Sequence, residues 1–146
     1  MEPFWIGERG GLLGIPSTGA YVGWLGRASH RVFEWSENPA CNKLRAQAIL
    51  SRLRALDRLR LSPEGYTLEE NIRLTKALLG RGVRVCCFTF HSPSLDPGCT
   101  GYVRDTRELD KFLGCCRGYF EFFLGKLGGI AMTPLELKEH ILSHTP

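Results

Sequence analysis

The clearest strand signal in the chain is the stretch Val83-Arg84-Val85-Cys86-Cys87-Phe88-Thr89-Phe90. It is rich in β-branched and aromatic residues, which favours a strand over a helix for a run of this length. A nearly continuous apolar run is typical of a strand that is covered on both faces, as in a parallel sheet. The stretch therefore predicts a central strand over 83–90.

A second strand and a helix precede this stretch. The segment 59–62 predicts a short strand, and the segment 62–65, Ser-Pro-Glu-Gly, predicts a turn after it. Thr67 and Glu70 have the spacing of a capping box and open a helix that ends near Leu79. Because a strand, a helix and a strand in this order form a βαβ unit, the two strands should lie parallel in one sheet.

Three further helices are predicted. Asn38-Pro39 opens one with a basic face, Asp105 and Glu108 open a second through a capping box, and Thr133-Pro134 opens the last. The second helix carries an apolar stripe at helical spacing. Its members are Leu109, Phe112, Leu113, Cys116, Phe120, Phe123, Leu124 and Leu127.

Composition limits the classes of protein. The 146 residues suit one domain, and 19 Lys and Arg against 15 Asp and Glu give a net charge of +4, too mild to indicate nucleic acid. The basic helix face, Lys43, Arg45, Arg54 and Arg58, is interpreted as a solvated surface. No apolar run approaches the ~20 residues of a membrane span. The start lacks the pattern of a signal peptide, so a cytoplasmic protein with reduced cysteines is expected, with neither nucleic acid nor a membrane as partner.

Two polar residues follow the two predicted strands. His91 comes directly after the stretch 83–90, and Glu64 follows the strand at 59–62. Ligands of α/β sheets bind at the carboxyl ends of the strands, so both side chains could reach one pocket. A carboxylate beside an imidazole fixes the tautomer and stabilises the protonated ring, which suits a general acid. A loop cap for His91 and a solvated turn for Glu64 are the alternatives.

Other candidate groups are weaker. His140 and His144 lie four residues apart on a predicted helix and share a face, but no third zinc ligand is near them in sequence. Cys99 lies in the loop after His91, and only proximity suggests a nucleophilic pair. We expect neither to form a site.

The segment 88–98, Phe-Thr-Phe-His-Ser-Pro-Ser-Leu-Asp-Pro-Gly, continues into Tyr102-Val103-Arg104-Asp105. This string resembles the carboxyl-terminal signature of a bacterial branch of the polysaccharide deacetylase family, the NodB-homology carbohydrate esterases. The segments 60–65 and 12–16 resemble earlier parts of the same branch. The likeness covers almost the whole chain in the right order.

The resemblance implies an α/β fold, a distorted barrel of parallel strands wrapped by helices. It also implies a divalent metal, usually zinc, held by one Asp and two His, with a second Asp as the base. Those residues belong to the family's amino-terminal half, which has no match here. Residues 1–146 are therefore expected to form a single partial domain, a partial and distorted (β/α) barrel with parallel strands and flanking helices. No metal ligands are expected in this chain, and zinc is expected only in full-length relatives.

The resemblance also implies a function, hydrolysis of N-acetyl groups on an acetylated sugar polymer. His91 matches the late-strand histidine that protonates the leaving amine, whereas Glu64 matches no motif of the family. Ser92, Ser94, Tyr102 and Arg104 lie in or beside the resembling block and are candidates for substrate binding. Without the metal-binding half, the chain is expected to be inactive alone.

The alternative is a non-catalytic carbohydrate-binding or interaction module. Aromatic side chains could stack on sugars in such a module, or they could be buried in the core. The candidates are Phe4, Trp5, Tyr21, Trp24 and Tyr102. An incomplete barrel would also leave strand edges unpaired, so self-association through these edges is expected.

Overall fold

The computed structural model describes residues 2–7, 11–23 and 57–144. This part of the chain is a mixed small fold of four short strands and three α-helices. The strands form two separate two-stranded sheets, both antiparallel. The strands are β1 (Phe4–Ile6) paired with β2 (Leu12–Gly14), and β3 (Gly19–Val22) paired with β4 (Asp57–Arg60).

The helices are α1 (Leu68–Gly80), α2 (Thr106–Phe120) and α3 (Pro134–His144). The capping box predicted for α1 is confirmed. The Glu70 backbone N–H donates to Thr67 Oγ1 at 3.2 Å, and the Thr67 N–H donates to Glu70 Oε2 at 2.8 Å. These bonds satisfy backbone donors that a helix start otherwise leaves unpaired, so α1 begins where the sequence predicts.

Helix α2 departs from its predicted apolar stripe. It continues into a π-helix, Glu121–Lys126, whose turns are wider than those of an α-helix. The buried aromatic side chains on this continuous helix are Phe112, Tyr119 and Phe122, whereas Phe120 is exposed. Tyr119 and Phe122 are thus buried although neither belongs to the predicted stripe.

The predicted barrel of parallel strands is wrong. Strand β4 pairs antiparallel with β3, and the segment 83–90 joins no sheet among the described residues. The Thr89 N–H donates to the Leu61 carbonyl at 3.2 Å, and the Cys87 N–H donates to Thr18 Oγ1 at 2.7 Å. Two isolated bonds do not make the evenly spaced ladder of a parallel sheet. No residue of 83–90 is buried, so the expected cover on both faces is also absent from the described structure.

The core lies between the β3–β4 sheet, α1 and the end of α2. It comprises Val22, Leu59, Leu61, Leu74, Leu78, Tyr119 and Phe122. The Phe88 ring stacks on the Tyr119 ring, with centroids 4.7 Å apart, so one side of the extended segment packs against α2. The two helices approach closely at Gly118, where an added Cβ would lie 2.6 Å from Leu68 Cδ2.

Two predicted features lie outside the described residues. These are the helix that Asn38-Pro39 opens and the candidate stacking residue Trp24. Arg58, which the sequence placed on the basic face of that helix, lies instead in strand β4. Within the described ranges, no helix combines the length and apolar character that a membrane crossing requires.

Candidate functional site

The site is built on the turn that follows β4, residues 61–65. Asn71 of α1 is fully buried and binds this turn through both ends of its amide. The Ser62 N–H donates to Asn71 Oδ1 at 3.0 Å, and Asn71 Nδ2 donates to the Ser62 carbonyl at 2.9 Å. The side chain thus pairs with a backbone unit as a neighbouring strand would. Gly65 has a φ of 76°, which suits glycine and turns the chain towards α1.

Glu64 projects from this turn and is nearly enclosed, with 6% of its side chain exposed. Its Oε1 accepts hydrogen bonds from the Ser94 hydroxyl at 2.5 Å and from the His91 backbone N–H at 3.0 Å. Its Oε2 lies 2.7 Å from His91 Nδ1. Ser94 is fully buried on a single 3₁₀ turn, Ser92–Leu95, which begins directly after His91. His91, directly before this turn, and Ser94, within it, are therefore both bound to the Glu64 carboxylate.

The electrostatics of Glu64 follow from these contacts. Burial acts to raise the pKa of the Glu64 carboxyl, but the hydrogen bonds from Ser94 and from the His91 backbone and ring outweigh it, so the pKa lies below its ordinary value. The carboxylate is therefore ionised at neutral pH and acts as an acceptor. The proton between the two groups lies on His91 Nδ1, which leaves Nε2 as the nitrogen available to a ligand. The His91 side chain is 74% exposed, so a ligand can reach it.

The dyad of Glu64 and His91 lies in a cleft of about 710 Å³. A neighbouring cleft of about 450 Å³ lies beside it, and both are lined by Tyr66 and Tyr102. The two tyrosines therefore lie at the junction of the clefts. The first cleft is also lined by Arg58, Arg60, Thr89 and Phe90.

Of the four residues predicted to bind substrate, only Tyr102 lines a cleft. Tyr102 is 54% exposed and lines both clefts. Ser94 is buried, and its hydroxyl contacts Glu64 and, at 3.0 Å, Thr100 Oγ1, so it positions the carboxylate and does not face a ligand. Ser92 is exposed but lines neither cleft.

Arg104, the fourth of these residues, also lines neither cleft. Its guanidinium binds Glu108 through Nη2 to Oε1 at 2.5 Å and Nε to Oε2 at 3.1 Å. The Glu108 carboxylate also accepts the Arg104 backbone N–H at 2.8 Å. The capping box predicted with Asp105 is therefore only half formed, through the hydrogen bond from the Glu108 N–H to Asp105 Oδ1 at 2.8 Å. The substrate role of Arg104 stays a prediction.

The weaker candidates have hydrogen-bond partners outside the dyad. Cys99 Sγ donates to Asp96 Oδ2 at 3.3 Å, and this hydrogen bond raises the pKa of the thiol, the opposite of what a nucleophile needs. His140 and His144 have ring centroids 4.2 Å apart, and His144 Nδ1 lies 2.9 Å from the His140 carbonyl oxygen. Across the described ranges, no three His, Cys, Asp or Glu side chains gather so that they could hold a metal.

Sequence reasoning missed Asn71. The available signal was its position on α1, where Asn71 and Thr75 are four residues apart on the face that also buries Leu74 and Leu78. A polar side chain on an apolar helix face needs a partner, and here the partners are the Ser62 backbone for Asn71 and Tyr119 Oη, at 3.0 Å, for Thr75.

Comparison of the chain with protein-family models, with curated protein sequences and with solved structures gives no match. The observations that bear on function are therefore the geometry of the dyad and the clefts and the resemblance of the segment around His91.

Proposed function

We propose that the chain is a polysaccharide deacetylase-family protein that binds an acetylated sugar polymer in the cleft of His91. In this proposal His91 is the proton donor to the leaving amine, and Glu64 is the carboxylate that orients it. The observation that carries the proposal is the 2.7 Å contact between His91 Nδ1 and the enclosed Glu64 carboxylate. The resemblance of the segment 88–98 to the polysaccharide deacetylase family indicates the reaction in which such a proton donor takes part.

The dyad has the properties that a general acid needs. Glu64 accepts a hydrogen bond from Nδ1–H and holds the ring in one orientation. A proton on Nε2 can then pass to an amine nitrogen that leaves a carbonyl carbon. The backbone N–H of His91 donates to the same carboxylate at 3.0 Å, so one carboxylate holds both the ring and the backbone of this residue.

The family's reaction also requires a metal centre, which the described residues do not fit. No set of three His, Cys, Asp or Glu side chains gathers among them. The metal supplies an activated water when it is bound in full-length relatives. A general acid alone contributes only ~10²–10⁴-fold. We therefore expect the isolated chain to bind the glycan without hydrolysing it at a measurable rate.

The shape of the site favours a polymer over a single sugar. The two clefts, about 710 and 450 Å³, share Tyr66 and Tyr102 at their junction. An exposed aromatic ring offers a sugar an apolar face and a hydroxyl at its edge. An oligosaccharide can pass over these rings and occupy both clefts, so affinity should rise with chain length.

The test measures binding and turnover together. N-acetylchitohexaose and N-acetylglucosamine are titrated by calorimetry, and acetate release is followed with added zinc or cobalt. We expect binding of the hexamer, weaker binding of the monomer, and no acetate. His91→Ala should weaken hexamer binding, whereas the matched control His140→Ala should not. Metal-dependent acetate release would contradict the expected inactivity, and absence of any glycan binding would overturn the proposal.

The second candidate is a carbohydrate-binding module without catalytic ancestry. The exposure of Tyr102 at the junction of both clefts favours it, because stacking alone can hold a sugar. Under this reading Tyr102→Ala abolishes binding and His91→Ala leaves the affinity unchanged. A nitrogen-15 spectrum of the histidines separates the two further, since a proton donor requires both Nδ1 and Nε2 of His91 to carry a proton and requires the His91 signals to shift when the glycan is added.

Two other expectations remain part of the proposal. A cytoplasmic location stays a prediction. Self-association also stays a prediction, although the open barrel edge from which it was derived is absent from the described structure. Sedimentation velocity would test the association state.

A further inference from the structure

Two arginines line the cleft of the dyad from strand β4. Arg58 and Arg60 are alternate residues on this strand and therefore share a face, while Leu59 between them points the other way and is buried. Both arginine side chains are exposed. The cleft thus receives two guanidinium groups from one strand.

The arginine side chains have no charge partner among the described residues. The ion pairs found there involve other groups, namely Arg73 with Asp57, His91 with Glu64, and Arg104 with Glu108. Glu64 is the one carboxylate among the described residues that line the cleft, and its oxygens are bound by His91 and Ser94. The charge left for a ligand in the cleft is therefore positive.

The pairing of β3 with β4 also determines what lies beside Arg60. In the β3–β4 register Gly19 lies opposite Arg60, and a Cβ added at Gly19 would lie 3.3 Å from Arg60 Cγ. The aliphatic part of Arg60 thus packs over a position without a side chain. Arg58 lies opposite Tyr21 in the same register, where cross-strand neighbours contact each other.

We infer that the glycan bound in this cleft is anionic, with an oxyanion on the sugar that Arg58 and Arg60 recognise. The inference rests on the proposed function and specifies its substrate class. Guanidinium groups bind carboxylate, sulfate and phosphate groups through paired, charge-assisted hydrogen bonds. A neutral sugar supplies no charge to offset the two arginines, whereas an acidic sugar beside an N-acetylated one would place its oxyanion against β4 and its amide near His91.

The experiment compares acidic and neutral oligosaccharides that share N-acetylated sugars. The probes are a hyaluronan hexasaccharide, which carries carboxylates, a chondroitin sulfate hexasaccharide, which also carries sulfates, and N-acetylchitohexaose, which is neutral. At low salt we expect at least one acidic probe to bind about tenfold or more tightly than the neutral one, and we expect salt to reduce this advantage. The ratio of the affinities for the two acidic probes identifies the preferred oxyanion.

Variants assign the effect to the two arginines. The double variant Arg58→Gln and Arg60→Gln should lose the preference for the acidic probe, so that the acidic and neutral probes bind with similar affinity. Arg107→Gln is the matched control, because Arg107 is exposed on α2 and lines neither cleft. It should keep the preference. Circular dichroism melting shows whether each variant folds.

The outcomes separate this inference from the proposed function. Equal affinity for acidic and neutral probes, unchanged in the double variant, overturns the inference and leaves the proposed function standing. Binding of none of the three probes overturns the proposed function and the inference with it. An oligothymidylate that binds more tightly than either acidic oligosaccharide, through the same arginines, also overturns the inference, because the cleft would then recognise a nucleic acid.

Discussion

The turn at 61–65 and the extended segment at 83–90 lie side by side, but they are held by different kinds of interaction. The turn is fixed by directional bonds, since Asn71 pairs with the Ser62 backbone and Glu64 accepts hydrogen bonds at both oxygens. The extended segment packs mainly through rings, such as Phe88 on Tyr119, and stays partly exposed. Hydrogen-bonded polar groups fix one geometry, whereas apolar packing accepts several.

The largest expected effect is at Asn71. Asn71→Ala leaves the buried Ser62 N–H and carbonyl without partners, and each such group costs about 1–3 kcal/mol. We expect the free energy of unfolding to fall by about 3 kcal/mol, measured by urea denaturation. Because the same turn positions Glu64, glycan affinity should fall as well.

Glu69→Ala is the control for this prediction, since Glu69 is exposed on the same helix. It should change the free energy of unfolding by at most about 0.5 kcal/mol. A loss below about 1 kcal/mol for Asn71→Ala would mean that water replaces the amide, and the contrast between the two segments would not hold.

A smaller effect is expected for Glu64→Gln, which keeps the size of the side chain and removes its charge. Hydrogen bonds to a charged acceptor contribute about 1.5–3 kcal/mol, and the amide retains part of them, so we expect a loss of about 1–2 kcal/mol at pH 7. The measurement is urea denaturation of both proteins at several pH values.

The pH dependence has a defined sign. The pKa of Glu64 is lower in the folded chain than in the unfolded chain, so its contribution is fully present above the unfolded value and is lost as pH falls through the folded value. The difference between wild type and Glu64→Gln should therefore shrink below about pH 4. Arg104 lowers the pKa of Glu108 to about 2, but this affects both proteins equally and cancels in the difference. A difference that stays constant with pH would show that the Glu64 charge contributes nothing.

The smallest effect concerns single amides in the segment 83–90 and is measured by hydrogen exchange. The N–H groups of Cys87 and Thr89 have acceptors, whereas those of Cys86 and Phe88 have none among the described residues. We expect the first two to exchange about tenfold more slowly than the other two. Uniform protection from 83 to 90 would instead reveal a regular ladder and would restore the strand predicted from the sequence.

The parts that the sequence predicted correctly are those encoded by neighbouring residues. Thr67 and Glu70 specify the start of α1 through bonds that span three residues, so the pattern is readable without knowing the fold. The partner of the segment 83–90 is encoded nowhere in that segment, because an apolar run indicates burial but not what buries it. The antiparallel pairing of β4 with β3 likewise joins segments that are distant along the chain.

The candidate site likewise combines features that the local sequence predicts with features that depend on tertiary contacts. The proximity of Glu64 and His91 was expected from the ends of two supposed parallel strands, and the two side chains are in contact although those strands do not form such a sheet. The contact depends instead on Ser94 and on the turn held by Asn71. The partner of Asn71 and the cleft positions of Arg58 and Arg60 could not be predicted, because they follow from tertiary pairing rather than from local spacing.

Gly118 of α2 lies close to the first residue of α1. A methyl group there would meet Leu68 Cδ2 at 2.6 Å, and Leu68 begins the helix that carries Asn71. Because Cδ2 is the far end of a flexible side chain, an alanine at position 118 would be accommodated by a rotation of the Leu68 side chain. The packing of α1 against α2 therefore tolerates one added methyl group at this position.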